Sequence, residues 1–328
     1  MTKDPFTKLQ KLLSKDMTDV TNLITKRMYS EYTPLIPIMT EHILNAGGKR
    51  LRPLLTLASA RLLGFKGYHH VHLAGIVELI HTATLLHDDV VDKSEKRRGK
   101  ITANTKWDNK SAVLVGDYLF ARAFQLMVEI GSIEILASLS KASAEISQSE
   151  VLQMSLAKNI TSSESDYMRV IKGKTATLFS SACEVGGLIS KATPSQTEAL
   201  AIYGESLGIS FQIVDDILDY GGTNTTLGKN VGDDFKERKI TLPILISLSK
   251  SDSSTKNFWS RTIGRGDQLE DDFEKAQKIL FKDGSLEETR VKALDWAERA
   301  KSQLRALPPG EINDLMGELT SFVVSRVL

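Results

Sequence analysis

The chain has 328 residues, 41% of them hydrophobic, enough to bury a large core as one helical domain or as two. Forty-two basic residues against forty-one acidic ones give a net charge of +1, which lends no support to a nucleic-acid binder. A lone cysteine, Cys183, excludes an intrachain disulfide and a Cys-x-x-Cys metal site and suits a reducing compartment. No uninterrupted apolar run reaches about 18 residues, so no segment is expected to span a bilayer. The opening Met1-Thr2-Lys3-Asp4, with Asp16 and Asp19 close behind, fits neither a secretory signal nor an acid-poor transit peptide, and the chain reads as soluble and cytoplasmic.

In chain order the pattern is helix after helix. Apolar positions at Phe6, Leu9, Leu12, Leu13, Met17, Val20, Leu23 and Ile24 predict one amphipathic helix over about 6–28. Pro34 and Pro37 mark the start of the next, which ends around Asn45-Ala46-Gly47-Gly48, and Pro53 falls in the first turn of its successor, where proline is tolerated. Similar periodicity predicts helices over roughly 54–63, 71–91, 111–129, 133–157, 164–190, 195–220, 241–249, 268–281, 285–305 and 310–327. Strand-like alternation is nearly absent. The two long connections, 92–105 and 221–240, are candidate lids.

Each of those connections follows a cluster of aspartates. Asp88, Asp89 and Asp92 end one apolar helix, and Asp215, Asp216 and Asp219 end another. The outer pair in each is four residues apart and stacks on one helix face, with the middle residue about 100° round. So much like charge in a partly buried place calls for a cation, and hard oxygen ligands without Cys or paired His favour Mg²⁺ over zinc or copper.

Cations stand near these clusters in the sequence. Gly47-Gly48-Lys49-Arg50-Leu51-Arg52-Pro53 suits a phosphate group through backbone N–H donors and charged side chains, and equally a helix stop followed by a solvated start. Lys96-Arg97-Arg98-Gly99-Lys100 reads as a solvated run or a phosphate clamp. Lys172-Gly173-Lys174-Thr175 places a glycine inside a helical pattern, for a kink or for function. Lys229 and Lys239 lie in the second long connection. Of the six histidines, His69, His70 and His72 read as solvated or capping residues, while His81 and His87 ride the helix of the first aspartates. Carboxylates and cations together describe a pocket where Mg²⁺ bridges protein to diphosphate oxygens.

These strings resemble the trans-isoprenyl diphosphate synthases, or polyprenyl synthetases. Leu85 through Asp92 followed by Arg97-Arg98-Gly99 is similar to that family's first aspartate-rich motif, and Gly204 through Phe211-Gln212 to Asp219 to its second. Gly47–Pro53 matches its isopentenyl diphosphate motif, Gly173-Lys174-Thr175 its central motif, and Gly232-Asp233-Asp234-Phe235 through Lys239–Pro243 its following loop. The resemblance covers about residues 40–245. It implies an all-α fold, a single-domain isoprenoid synthase helical bundle over 1–328 around a deep central cavity, generally homodimeric. It further implies that Asp88, Asp89, Asp92, Asp215, Asp216 and Asp219 hold about three Mg²⁺ ions on an allylic diphosphate, assisted by Arg97, Lys174 and Lys229. Gly48, Lys49, Arg52, His81 and Arg98 would bind isopentenyl diphosphate. Thr175 and Gln212 become dipoles near a developing allylic cation, and Lys239 helps close the loop.

Product length is read from the residues before Asp88. In this family a bulky aromatic four or five residues earlier resembles a floor that stops the growing chain, and here those residues are Thr84 and Ala83, above Ile80. No Phe, Tyr or Trp lies between Val71 and Asp92, so a tunnel of about 20 Å or more is expected along this helix unless Phe124, Phe179 or Met127 closes it. The stretch is most similar to synthases of octaprenyl to decaprenyl length, which supply quinone side chains. Alternatives are a farnesyl or geranylgeranyl synthase, a non-catalytic subunit of a heteromeric synthase, or a class I terpene cyclase. The last is disfavoured by the intact isopentenyl motif and by aromatics at only 6% of residues. An insoluble product also implies peripheral membrane contact for its release.

Overall fold

The structure is a computed structural model that describes residues 4–221 and 231–327. The chain divides into two compact units: Met1–Ser143, Leu178–Gly204 and Gln303–Glu318 form the first, and Ala144–Thr177, Glu205–Ser302 and Leu319–Leu328 the second. In chain order come α1 (Pro5–Leu12), α2 (Ser14–Arg27), α3 (Leu35–Leu44), α4 (Leu51–Leu62), α5 (His69–Val91), a hairpin of β1 (Lys96–Arg97) and β2 (Lys100–Ile101), α6 (Ala103–Lys106), α7 (Asn109–Ile130) and α8 (Ile133–Leu156). They are followed by α9 (Glu164–Ile171), a π-helical turn (Lys172–Ala176), α10 (Thr177–Ile189), α11 (Pro194–Gly221), α12 (Asp233–Lys236), α13 (Leu242–Lys250) and α14 (Ser253–Trp259). A second π-helical turn (Ser260–Arg265), α15 (Asp272–Lys282), α16 (Ser285–Gln303) and α17 (Glu311–Ser325) complete the chain. The two residue pairs of the hairpin are the whole strand content among the described residues.

The first unit is built on α5. Val71, Leu73, Ala74, Ile76, Val77, Leu79, Ile80, Ala83 and Leu86 are all buried, so this helix is apolar on nearly every side. It packs chiefly on α7 and also on α4 and α2. α7 is long and apolar enough by composition to cross a membrane, although Lys110, Asp117, Arg122 and Glu129 interrupt its apolar run. It buries Ala112, Val115, Leu119, Ala123 and Leu126 within the unit. A polar tie joins three helices beneath this core: Arg61 of α4 donates Nε and Nη2 to Asp16 of α2 at 2.8 and 2.7 Å, and His70 of α5 sits 3.3 Å from the same carboxylate. Burial opposes ionisation of Asp16, yet the Arg61 fork and His70 hold it below the usual carboxylate range.

The second unit gathers around Tyr220, Phe235, Ile244, Trp259, Ile263, Ala276 and Leu280. Trp259 donates its indole N–H to Ser247 at 3.1 Å, satisfying the one polar atom of the largest buried side chain.

Four departures from the sequence reading have physical causes. The predicted helix over 6–28 is two helices broken at Leu13 (φ −102°, ψ 19°); the apolar spacing runs unchanged through the break, so periodicity cannot register it. The predicted 164–190 helix contains the π-turn at Lys172–Ala176, where Gly173 passes so close to α8 that a Cβ would meet the Ser149 side chain and stand 3.1 Å from the Glu145 carbonyl. The connection 92–105 holds the hairpin and α6 rather than irregular chain. The helix Ser253–Trp259 with its π-turn was not anticipated, because Ser and Thr fill its exposed face and leave Trp259 and Ile263 too sparse for an apolar period.

Gly204 on α11 lies against α10, where an added Cβ would stand 2.7 Å from the Phe179 carbonyl carbon and 2.9 Å from Ser180 Cα. Because those obstacles are backbone, Gly204→Ala should destabilise the protein by about 3 kcal/mol in urea unfolding; a loss below about 0.5 kcal/mol would show that the helices separate freely there.

Candidate active site

The first unit carries a basic site beside the first aspartates. α5 ends at Val91, and Asp92 caps it with its N–H on the Asp88 carbonyl at 2.8 Å, so the three aspartates follow one helical path. Asp89 is buried and Asp88 half-buried. Burial raises the Asp89 carboxyl and nearby Asp92 adds to that, while Arg97 opposes it from 2.8 Å. The hairpin supplies this arginine: Lys96 pairs with Ile101 and Arg97 with Lys100, leaving Arg98 (φ 53°) and Gly99 (φ 76°) as a two-residue turn with both residues left-handed. Arg98 then reaches back to donate to the Gly47 carbonyl, and Lys100 donates to the Asn45 carbonyl at 2.5 Å. Gly48 has φ +145°, a conformation that strains any other residue, and the Arg98 guanidinium lies where its side chain would be. The two basic stretches are therefore one connected structure, not separate solvated runs.

Behind that turn Arg52 donates to His81 Nε2 at 3.1 Å and stacks on Phe179 with its guanidinium carbon 4.4 Å from the ring centroid. An acceptor Nε2 requires the neutral imidazole with its proton on Nδ1. Burial, then Arg52, Arg98 and Arg97, hold His81 well below the ordinary histidine range. One turn earlier on α5, Glu78 is buried with Oε1 3.8 Å from Arg50; burial raises its carboxyl, and Arg50, Arg52 and Arg98 pull the other way. Lys49 lies over the Phe6 ring at 5.7 Å. Ile80 and Ala83 are fully buried, and Thr84 is half-buried with its hydroxyl on the His81 carbonyl. Of the three side chains considered as a tunnel floor, Phe124 is 38% exposed and points out of the unit, Phe179 lies under Arg52, and Met127 is buried.

The second unit carries the other cluster. Thr175, in the π-turn, donates to Gln212 Oε1 at 2.9 Å; the Gln212 amide donates to Asp216 Oδ1 at 3.0 Å; and Tyr167 of α9 donates to Asp216 Oδ2 at 2.7 Å. Burial and the nearby Asp234 carboxylate push Asp216 up to about 7 against those hydrogen bonds, with Asp215 adding to the rise. Asp215 meets Arg326 at 3.2 Å, and Arg326 stacks on Phe211. Asp219 accepts the Asp234 N–H at 3.1 Å. Lys174 reaches Glu150 and Gln153, both at 2.8 Å. Lys239 pairs with Glu237 and stands 3.8 Å from Asp234. Lys229 lies outside the described residues.

Four residues were missed in the sequence. Arg326 lies more than a hundred residues from Asp215, and Tyr167 and Glu78 resemble ordinary core-facing positions in a helical pattern. Asp234 belonged to a quoted motif but was given no role. Among the described residues no three acidic, His or Cys groups converge tightly enough to enclose a cation by themselves. The carboxylates of the two clusters are hard oxygen donors of the kind Mg²⁺ takes together with phosphate oxygens and water.

An all-α scaffold with two Asp-Asp-x-x-Asp helices and a Gly-Gly-Lys-Arg-x-Arg-Pro turn defines a class of diphosphate-handling proteins. Residues 33–280 match the polyprenyl synthetase family model, and the chain belongs to that family. It is 40% identical over 321 residues to octaprenyl diphosphate synthase of Escherichia coli (strain K12), covering 97% of this chain and 98% of that one. A decaprenyl diphosphate synthase crystal structure from Rhodobacter capsulatus is 52% identical with a TM-score of 0.95, covering 98% of this chain and 99% of that chain. A polyprenyl synthase from Caulobacter crescentus CB15, crystallised with calcium and isoprenyl diphosphate, is 46% identical with a TM-score of 0.95 over the full length of both chains.

The hydrogen-bond geometry fixes the charge of His81. An imidazole proton NMR titration should show it still neutral at pH 6.5, the ordinary histidine midpoint, because its folded value is depressed and protonation is deferred to lower pH; a midpoint at or above 6.5 would mean that the Arg52 contact is not as described.

Proposed function

We propose that the chain is a Mg²⁺-dependent prenyltransferase that adds isopentenyl diphosphate head-to-tail to an allylic diphosphate, giving an all-trans product of octaprenyl to decaprenyl length. The observation that carries this reading is the joining of the Gly47–Arg52 turn to the Arg97–Arg98 hairpin directly beyond the first aspartates. That juxtaposition puts an anion-binding surface beside carboxylates, as two diphosphates and a shared set of cations require. Similarity to the octaprenyl and decaprenyl synthases supports the length.

In this reading Asp88, Asp89, Asp92, Asp215, Asp216 and Asp219 hold Mg²⁺, which when bound offsets charge on the leaving diphosphate. Arg97, Lys174 and Lys229 add positive charge around the allylic diphosphate. Lys49, Arg52 and Arg98 grip isopentenyl diphosphate, with neutral His81 orienting Arg52 without adding a competing charge. The allylic C1–O bond breaks and its electron pair departs with diphosphate. The isopentenyl double bond supplies the electrons of the new bond to C1, and the proton shed from the neighbouring carbon passes to the released diphosphate. Thr175 and Gln212 present dipoles to the positive charge, and no side-chain base is needed. Lys239, held beside Asp234, helps order the loop after the second cluster.

The same reading makes the enzyme a homodimer. α7 turns Val113, Leu114, Phe124 and Val128 outward, Ile133 follows at 78% exposure, and an open groove of about 530 Å³ runs along Arg122, Phe124, Gln125, Val128 and Glu129. A second copy would cover such a face.

With Mg²⁺, labelled isopentenyl diphosphate and geranyl, farnesyl or geranylgeranyl diphosphate, the product ladder should end at eight to ten isoprene units, as in the octaprenyl and decaprenyl relatives. Ala83→Phe should shorten the ladder while leaving the first condensation intact. A wild-type ladder ending at farnesyl or geranylgeranyl length would overturn the long-chain reading, and no incorporation with any primer would favour a partner-subunit role. Light scattering should return twice the mass of the chain, and Val128→Glu combined with Ile133→Glu should release monomers; a wild-type monomer would remove the dimer reading.

A further inference from the structure

The mechanism makes no use of the buried contact between the Tyr167 hydroxyl and Asp216. Tyr167 is only 7% exposed and lies on α9, a helix that the surrounding structure holds firmly. Ser163 and Asp166 form a reciprocal cap at its start, Lys292 of α16 pairs with Glu164 at 2.8 Å, and the π-turn follows directly at its end. The phenol therefore approaches Asp216 from a fixed direction. Its hydroxyl is the donor in this contact, at 2.7 Å from Asp216 Oδ2.

The opposite oxygen of Asp216 is fixed just as closely. Thr175 donates to the Gln212 carbonyl oxygen, which turns the Gln212 amide nitrogen toward Asp216 Oδ1. Each carboxylate oxygen thus accepts one protein donor, and the plane of the group is set from both sides. A carboxylate offers about four lone-pair directions, so roughly two remain for a cation. Any buried phenol needs a partner for its hydroxyl; the partner here is the carboxylate of the second aspartate cluster.

Resting on the proposed role of Asp216 in holding Mg²⁺, we infer that Tyr167 is a positioning residue for that carboxylate: it fixes the rotation at which Asp216 meets the cation without itself touching substrate. Partners that orient metal ligands typically change metal affinity by about 10- to 100-fold when removed. Tyr167 should accordingly act on metal affinity and leave the chemical step at metal saturation nearly untouched.

The test uses the full chain and two readouts: calorimetric titration of Mg²⁺ in the presence of inorganic diphosphate, and the Mg²⁺ dependence of turnover. Tyr167→Phe should weaken Mg²⁺ binding and raise the half-saturating Mg²⁺ about 10-fold, with kcat at saturating Mg²⁺ within about 3-fold of wild type. Asp216→Asn, the control for the underlying reading, should weaken the diphosphate-dependent Mg²⁺ uptake by more than Tyr167→Phe does. If Asp216→Asn weakens that uptake while Tyr167→Phe binds like wild type, this inference is overturned and the metal assignment stands, even if the melting temperature falls. If Asp216→Asn also binds like wild type, the metal assignment fails and the inference with it. Should Tyr167→Phe not fold, Tyr167→Gln, whose amide is too short to reach Asp216 Oδ2, carries the same expectation and the same overturning result.

Discussion

The whole arrangement depends on keeping carboxylates charged where water is scarce. Asp89 and Asp216 are both buried, and burial raises each of them. A group in that position either takes up a proton or is given compensation, and only the ionised form can hold a cation. Much of the surrounding structure can be understood as supplying that compensation while leaving oxygen lone pairs available.

The two units do this differently. Asp89 receives a full positive charge from Arg97, delivered by a hairpin that is otherwise exposed. Asp216 receives neutral donors from Gln212 and Tyr167, while Arg326 goes instead to Asp215. Asp216 rises to about 7 because it is buried and faces the Asp234 carboxylate, against its two neutral donors, whereas at Asp89 the Arg97 guanidinium opposes the effect of burial.

Much of this was legible in the sequence, and the rest was hidden for identifiable reasons. Helices with a steady apolar period were found near their true ends, and the aspartates stood out because acids are unusual at the end of an apolar helix, whereas roles for Arg52, His81, Thr175 and Gln212 came from the family resemblance. The break at Leu13 and the α14 segment escaped because one preserves the period and the other lacks it. Glu78, Tyr167 and Arg326 escaped because their partners are set by tertiary packing: Arg326 meets a residue more than a hundred positions away, and Tyr167 would pass for core in any helical wheel. The run Lys96–Lys100 was visible as charge, but that neighbouring arginines serve two different attachments follows only from the hairpin.

That hairpin has a bearing on how the gene can vary. Surface loops ordinarily tolerate gain or loss of a residue, since nothing beneath them depends on their length. Here Arg98 and Gly99 form the entire turn, and successive strand side chains alternate between faces. One residue more or less in that turn would take Arg98 from its left-handed position and its Gly47 contact, and one more or less between Asp92 and Arg97 would turn the Arg97 side chain to the other face, away from Asp89. An exposed segment near the first aspartates thus carries a length constraint as strict as that of a core helix, and insertions tolerated elsewhere on the surface should be absent from it.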